Sequence, residues 1–265
     1  MAAIRKFMQD IFSISAQKRF FLCALGEVDG RQIWLVRSRS NAEHSDPKML
    51  VVAGFHGEEK AGPYAILKWM KNCDQQTLRK VDLSFIPIVN PIGFAKNMRY
   101  AIPGEKTNCG FCHPERGEVA SREGKILITN IDLLKPLAED GFLSLHEDIR
   151  ENAFYLYTFE KSKKPGAFTT GIREELGKHF RKALDGVHVE IDASDGSATG
   201  PIVKDGVVFR HCDGSFEDWM FHLGVPRAVV TETPGLYRLK RRIDAGASVI
   251  DKFIALNLEL GRKPE

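Results

Sequence analysis

The chain has 265 residues, 43% of them hydrophobic and 28% charged, with a net charge of +3. So small a charge makes no case for a nucleic-acid partner, and no stretch approaches about 18 uninterrupted apolar residues, so no membrane span is expected. A chain of this length can bury a core without disulfides or structural metals, so any metal calls first for a functional explanation.

Five cysteines at irregular spacing (Cys23, Cys73, Cys109, Cys112, Cys212) argue against a disulfide framework. The opening MAAIRKFMQDIFSISAQ mixes charged and apolar residues and does not read as a signal peptide. The expected compartment is the cytoplasm, with reduced thiols.

Ile4, Phe7, Met8, Ile11 and Phe12 are spaced as on an amphipathic helix. FFLCALGEV and RQIWLVRS follow, joined through Asp29-Gly30, a hairpin signal. MLVVAGF is a continuous apolar run, as in a strand buried on both faces. AGPYAILKWMKNC reads as a helix with Pro63 near its first turn. DLSFIPIV is a second buried strand, ending at Asn90-Pro91. Residues 94–118, with scattered Gly, Pro, Cys and His, read as loop, and 119–139 as helix. GFLSLH, AFYLYTF and RAVVTE read as strands, while 171–185, 215–224 and 238–260 read as helices. EIDASDG, with Asp192 and Asp195, reads as a turn. The alternation implies an α/β fold: a largely parallel sheet covered on both faces, with the opening hairpin as an antiparallel edge. Residues 1–265 read as a single domain.

Three of these strands run into residues that bind metals or move protons. MLVVAGF leads to His56-Gly57-Glu58-Glu59, GFLSLH ends at His146, and RAVVTE ends at Glu232. Ligands of open α/β sheets bind beyond the carboxyl ends of strands, so the three ends predict one site. Two histidines and a carboxylate form a catalytic zinc set that leaves a position open. His56, Glu59 and His146 are therefore the expected ligands of one Zn2+, with Gly57 letting the backbone bend between them. Glu232 is the expected general base, taking a proton from water and passing it to the leaving group.

With these residues in place, the sequence resembles the zinc carboxypeptidase superfamily, which includes succinylglutamate desuccinylase-like and aspartoacylase-like deacylases. GFHGEE at 54–59, NPIGFAKNMR at 90–99, LSLHED at 143–148, GSFEDW at 214–219 and VVTETPG at 229–235 match its motifs in family order. The resemblance implies a three-layer α/β/α sandwich around a mixed, largely parallel eight-stranded sheet. It implies that Arg99 polarises the scissile carbonyl. It implies metallopeptidase activity on a peptide or related amide, with deacylation of an N-acyl amino acid as the alternative and a catalytically inactive binding protein as a third.

Two departures bear on the substrate. The family's Asp-x-Asn-Arg segment aligns with Lys106-Thr107-Asn108-Cys109, so Asn108 and Cys109 take the substrate-binding positions and the carboxylate-holding arginine is lost. Arg116, Arg122 or Lys106 are the candidate replacements. Phe209 aligns with the substrate-binding tyrosine and brings no hydroxyl, with His211 or Tyr237 as alternatives. Cys109-Gly110-Phe111-Cys112-His113 reads most simply as two reduced thiols in a loop. A metal reading needs further ligands, with Cys212, His211 or distant histidines available. Glu147 and Asp148 read either as a surface pair or as hydrogen-bond partners of a metal-bound imidazole.

Overall fold

The computed structural model describes residues 2–38, 46–187 and 201–261; Asp192 and Asp195 lie outside them. In chain order the first half runs α1 (Ala2–Lys18), β1 (Phe21–Val28), β2 (Arg31–Arg37), β3 (Lys48–Ala53), α2 (Ala61–Asn72), α3 (Gln75–Leu78), β4 (Asp82–Ile86) and α4 (Pro91–Lys96). A long loop with one short 3-10 turn leads to α5 (Arg122–Thr129), α6 (Ile131–Leu137), β5 (Gly141–Asp148), β6 (Tyr155–Glu160) and α7 (Ala167–Gly177). The chain continues through β7 (Gly186–Val187), β8 (Ile202–Val203), β9 (Val207–Phe209), α8 (Phe216–His222), β10 (Arg227–Pro234) and α9 (Leu239–Leu260).

Eight strands form one sheet in the order β1-β2-β4-β3-β5-β10-β6-β9. The central four, β4, β3, β5 and β10, are mutually parallel. Antiparallel pairings occur where β2 meets β4, in the β1–β2 hairpin, and where β6 meets β10. The hairpin turn has positive φ at both Asp29 (48°) and Gly30 (73°), the backbone a tight two-residue turn requires.

Helices cover both faces. One layer packs α1, α2, α7 and α9 through Phe7, Ile66, Phe168 and Phe253 onto Val51, Leu143 and Leu145. The other packs α5, α6 and α8 through Leu127, Leu134 and Phe216 onto Leu50, Val52 and Phe142. Side chains alternate along a strand, so Leu143 and Leu145 face the first layer, and His146 faces the second with Phe142. Among the described residues, no helix is long and apolar enough to cross a membrane.

The structure refines several sequence expectations. The 119–139 helix is broken at Asn130 into α5 and α6. The 171–185 helix lies earlier, at Ala167–Gly177, and part of the 94–118 loop is taken up by α4 and the turn at Pro114–Arg116. The short strands β8 and β9 have too few residues to show a period.

Candidate active site

His56 and Glu59 lie just after β3, and His146 lies near the end of the adjacent parallel strand β5. The chain turns at Gly57, with the Glu59 amide donating to the His56 carbonyl at 3.2 Å, and the turn is also held by close backbone approach. A Cβ on Gly57 would sit 1.9 Å from the carbonyl carbon of Gly93, and one on Gly93 would sit 2.5 Å from Asn90 Nδ2. Gly57 therefore lets the His-Gly-Glu-Glu turn touch α4, and Gly93 leaves room for the Asn90 side chain. Asn90 caps α4 by accepting from the Gly93 amide at 2.7 Å, and its Nδ2 donates to the Arg99 carbonyl at 3.2 Å. The Gly57 amide donates to that same carbonyl at 3.2 Å, fixing Arg99 beside the cluster.

The three expected ligands converge. Glu59 is buried between two imidazoles, with Oε1 2.6 Å from His56 Nδ1 and Oε2 3.1 Å from His146 Nδ1. Their donor atoms lie within 4.8 Å of one another. Arg99 closes a third side, its Nη1 3.1 Å from Glu59 Oε1 and 3.7 Å from Glu58 Oε1. Its Nε donates to the Tyr100 hydroxyl at 3.2 Å. Glu232 pairs in register with His146 across the parallel β5–β10 ladder, and with Tyr155 on its other side. Adjacent ladder positions place the two residues about 5 Å apart at the backbone and on one face of the sheet.

Burial and neighbouring charges act in opposite directions on the two imidazoles. Burial pushes the His56 imidazole down to about 4, helped by Arg99 and opposed by Glu59. Burial also works against charge on His146, but Glu59, Glu217 and Glu232 outweigh it and hold its pKa well above the ordinary value. Burial would raise Glu59, yet the two imidazoles hold it below the carboxylate range. The Arg99 guanidinium, partly desolvated, is held charged chiefly by Glu59. Burial thus opposes charge on both imidazoles, while the carboxylates beside them favour it. Two imidazoles and a carboxylate at this spacing are the donor set of a zinc ion, and the residues fit one.

Glu217 is the site residue that sequence reasoning missed. Its fully buried carboxylate sets Oε1 3.5 Å from His146 Nε2, an ion-pair distance and longer than a good hydrogen bond. A metal-binding imidazole is commonly steadied in this way through its other nitrogen. The available signal was Ser215-Phe216-Glu217-Asp218, a helix start in which Ser215 Oγ accepts from the Asp218 amide at 3.3 Å. Glu147 and Asp148 do not fill this role. Glu147 faces the other layer, accepting from the Ala61 amide at 2.7 Å and pairing with Arg242, and burial pushes it up to about 7. Asp148 accepts from the Tyr155 hydroxyl at 3.1 Å.

The expected substrate-binding residues separate. Asn108 commits both ends of its amide to α8, with Nδ2 donating to Glu217 Oε2 at 2.9 Å and Oδ1 accepting from the Phe216 amide at 2.9 Å. It holds the brace behind His146. Cys109 is buried, and burial beside Glu118 pushes its thiol up to about 12. Phe209 packs into the layer of α7 and α9, on the opposite sheet face from His146, because alternation along β9 turns it there. His211 instead lies near Tyr157, whose ring packs into the layer that holds α8, with the two rings tilted and their centroids 5.9 Å apart. The cations offered as arginine replacements are engaged elsewhere: Lys106 with Glu118, Arg116 with the Cys212 carbonyl, and Arg122 with Asp29.

A family model described as the succinylglutamate desuccinylase/aspartoacylase catalytic domain matches residues 45–124. A candidate metallopeptidase from Shewanella amazonensis is 34% identical, with 96% of this chain and 92% of that chain covered and a TM-score of 0.87. A second from Shewanella baltica is 36% identical over the same shares, with a TM-score of 0.86. A metallo-carboxypeptidase from Pseudomonas aeruginosa shares the fold at 18% identity and a TM-score of 0.66, with 96% of this chain and 68% of that chain covered. No curated protein matches the sequence significantly. Fold and relatives define a hydrolase class. The chain belongs to the zinc carboxypeptidase superfamily, which includes the succinylglutamate desuccinylase/aspartoacylase enzymes.

Proposed function

We propose that the protein is a zinc-dependent metallopeptidase that hydrolyses a peptide or related amide bond, with His56, Glu59 and His146 as ligands and Glu232 as general base. The observation that carries this reading is the convergence of the three donors, with Glu232 in register beside His146 and Arg99 against Glu59. When bound, zinc supplies a Lewis acid that polarises a carbonyl and acidifies water. Glu232 takes the proton from the attacking water at a carboxylate oxygen and delivers it to the leaving nitrogen. Arg99 donates from its guanidinium to the carbonyl oxygen as negative charge builds there. Glu217 holds the His146 ring through Nε2 while Nδ1 faces the metal position. Five unpaired cysteines fit work in a reducing cytoplasm.

Deacylation of an N-acyl amino acid is the second reading, favoured by the family model that spans the His56 turn and Arg99. The test profiles the zinc-loaded protein and His146→Ala on short peptides with free and amidated C-termini and on N-acyl amino acids. The expected result is amide hydrolysis with about one catalytic zinc, both lost in His146→Ala. Full turnover in His146→Ala overturns the assignment, and turnover of N-acyl amino acids alone moves it to the deacylase.

A further inference from the structure

Away from His56, the loop before α5 brings a second set of metal-type side chains onto α8. Cys112 and His113 come from the loop, while Asp218 and His222 stand one turn apart on α8. One donor atom from each of the four lies within 4.8 Å of the others. Asp218 is the hub and is fully buried. Its Oδ2 meets His113 Nε2 at 3.0 Å, Cys112 Sγ at 3.6 Å and the Gly214 amide at 3.0 Å. Its Oδ1 is buried without a hydrogen bond. His222 Nδ1 stands 3.0 Å from that oxygen, but its hydrogen bond is to the Asp218 carbonyl oxygen at 2.9 Å. The other nitrogen of His113, Nδ1, lies 3.2 Å from Glu115 Oε1, the kind of contact that orients a metal-binding imidazole.

The geometry points to a second zinc site, formed by Cys112, His113, Asp218 and His222. A thiolate, two imidazoles and a carboxylate suit zinc and not magnesium or calcium. Donors at about 2.0–2.3 Å from a tetrahedral zinc lie about 3.3–3.8 Å from one another, so closing this cluster moves side chains by roughly an ångström. The Cys112 thiol proton leaves to solvent as the metal binds. Four protein donors fill the coordination sphere, which makes the site a clamp and not a second reaction centre. What it clamps is the loop that carries Asn108 onto the helix that carries Glu217, both ends of the brace behind His146. Cys109 is not a member, because its thiol is turned to Glu118.

Elemental analysis of the full-length protein, zinc-loaded and then freed of excess metal, is expected to find about two zinc per chain, one for each site. His222→Ala and Cys112→Ser should each lose about one, and His146→Ala should lose the other. His222 is half exposed, so its alanine variant is expected to fold, with circular dichroism as the check. Cobalt substitution separates the two sites, because only Cys112 supplies sulfur. A near-ultraviolet thiolate-to-cobalt band is expected in the wild type and in His146→Ala, and not in Cys112→Ser. A wild type with one zinc and no thiolate band overturns the second site, as does a band that survives Cys112→Ser. A band that persists while His146→Ala keeps all its zinc supports the clamp and sinks the hydrolase reading alone.

Discussion

The two histidine clusters are built from different material. His146 lies within the β5–β10 ladder, and His56 and Glu59 lie in the short turn after β3, held by the Gly57 amide on the Arg99 carbonyl and the Glu59 amide on the His56 carbonyl. Cys112, His113, Asp218 and His222 sit on a loop and a seven-residue helix, joined by the Phe111 amide on the Gly214 carbonyl at 3.0 Å and by side-chain contacts to Asp218. A strand-end donor inherits the sheet's rigidity, as a reacting centre needs. A loop donor must be held by whatever it binds, which suits a clamp. Consecutive residues of α8 serve both clusters, Glu217 turning to His146 and Asp218 to Cys112 and His113. The sheet preorganises one centre, and the other organises its own surroundings.

The sharpest way to break this contrast is to remove chemistry from the rigid centre and leave its shape. Glu232→Gln keeps the side-chain volume and the β10 position. Turnover is expected to fall by about two to four orders of magnitude, the usual span for general acid–base catalysis, with zinc retained. Loss of zinc would make Glu232 a ligand, and near-normal turnover would put the base elsewhere, with Glu58 next in line. Arg99→Ala should cost about a hundredfold in kcat, the typical loss of one oxyanion donor, with metal content unchanged. Unaltered kcat there would leave Arg99 as no more than a partner of Glu59.

How much of this was legible in the sequence follows the same divide. The buried strands announced themselves as apolar runs, and the residues at their ends become close neighbours in a parallel sheet, so the juxtaposition of His56, Glu59, His146 and Glu232 is legible in the sequence. The brace and the second cluster are not. Glu217 and Asp218 read as ordinary acidic residues in the first turn of a helix. His222 lies 109 positions from His113. Only the contact between a long irregular loop and α8 unites them, and loops carry no period. Phe209 shows the cost of counting along such a segment: a shift of one position in a strand reverses the face, and the residue landed on the wrong side of the sheet.

Glu217→Gln tests the link between the two regions. It removes the charge facing His146 and keeps an oxygen for Asn108. The expected effect is a loss of about 10- to 100-fold in affinity at the His56 centre, read by chelator competition, with the thiolate-containing site unaffected. Equal loss at both sites would mean that α8 itself has shifted and that Glu217 has no specific hold on His146.

The smallest expected effect asks how α8 is held. Ser215 caps the helix by accepting from the Asp218 amide, and Asp218 is also the hub of the second cluster. Losing such a cap typically costs about 1 kcal/mol. If zinc also pins Asp218, the helix start is secured twice, and removing one restraint should matter less while the other is present. Ser215→Ala is therefore expected to lower the urea midpoint by about the full capping amount in chelator-treated protein and by less in zinc-loaded protein, at unchanged m-value. Equal shifts in the two states would separate the cap from the cluster and leave α8 held by Phe216 and Met220 in the core. A larger shift in the loaded protein would mean that the cap is needed to form the second site.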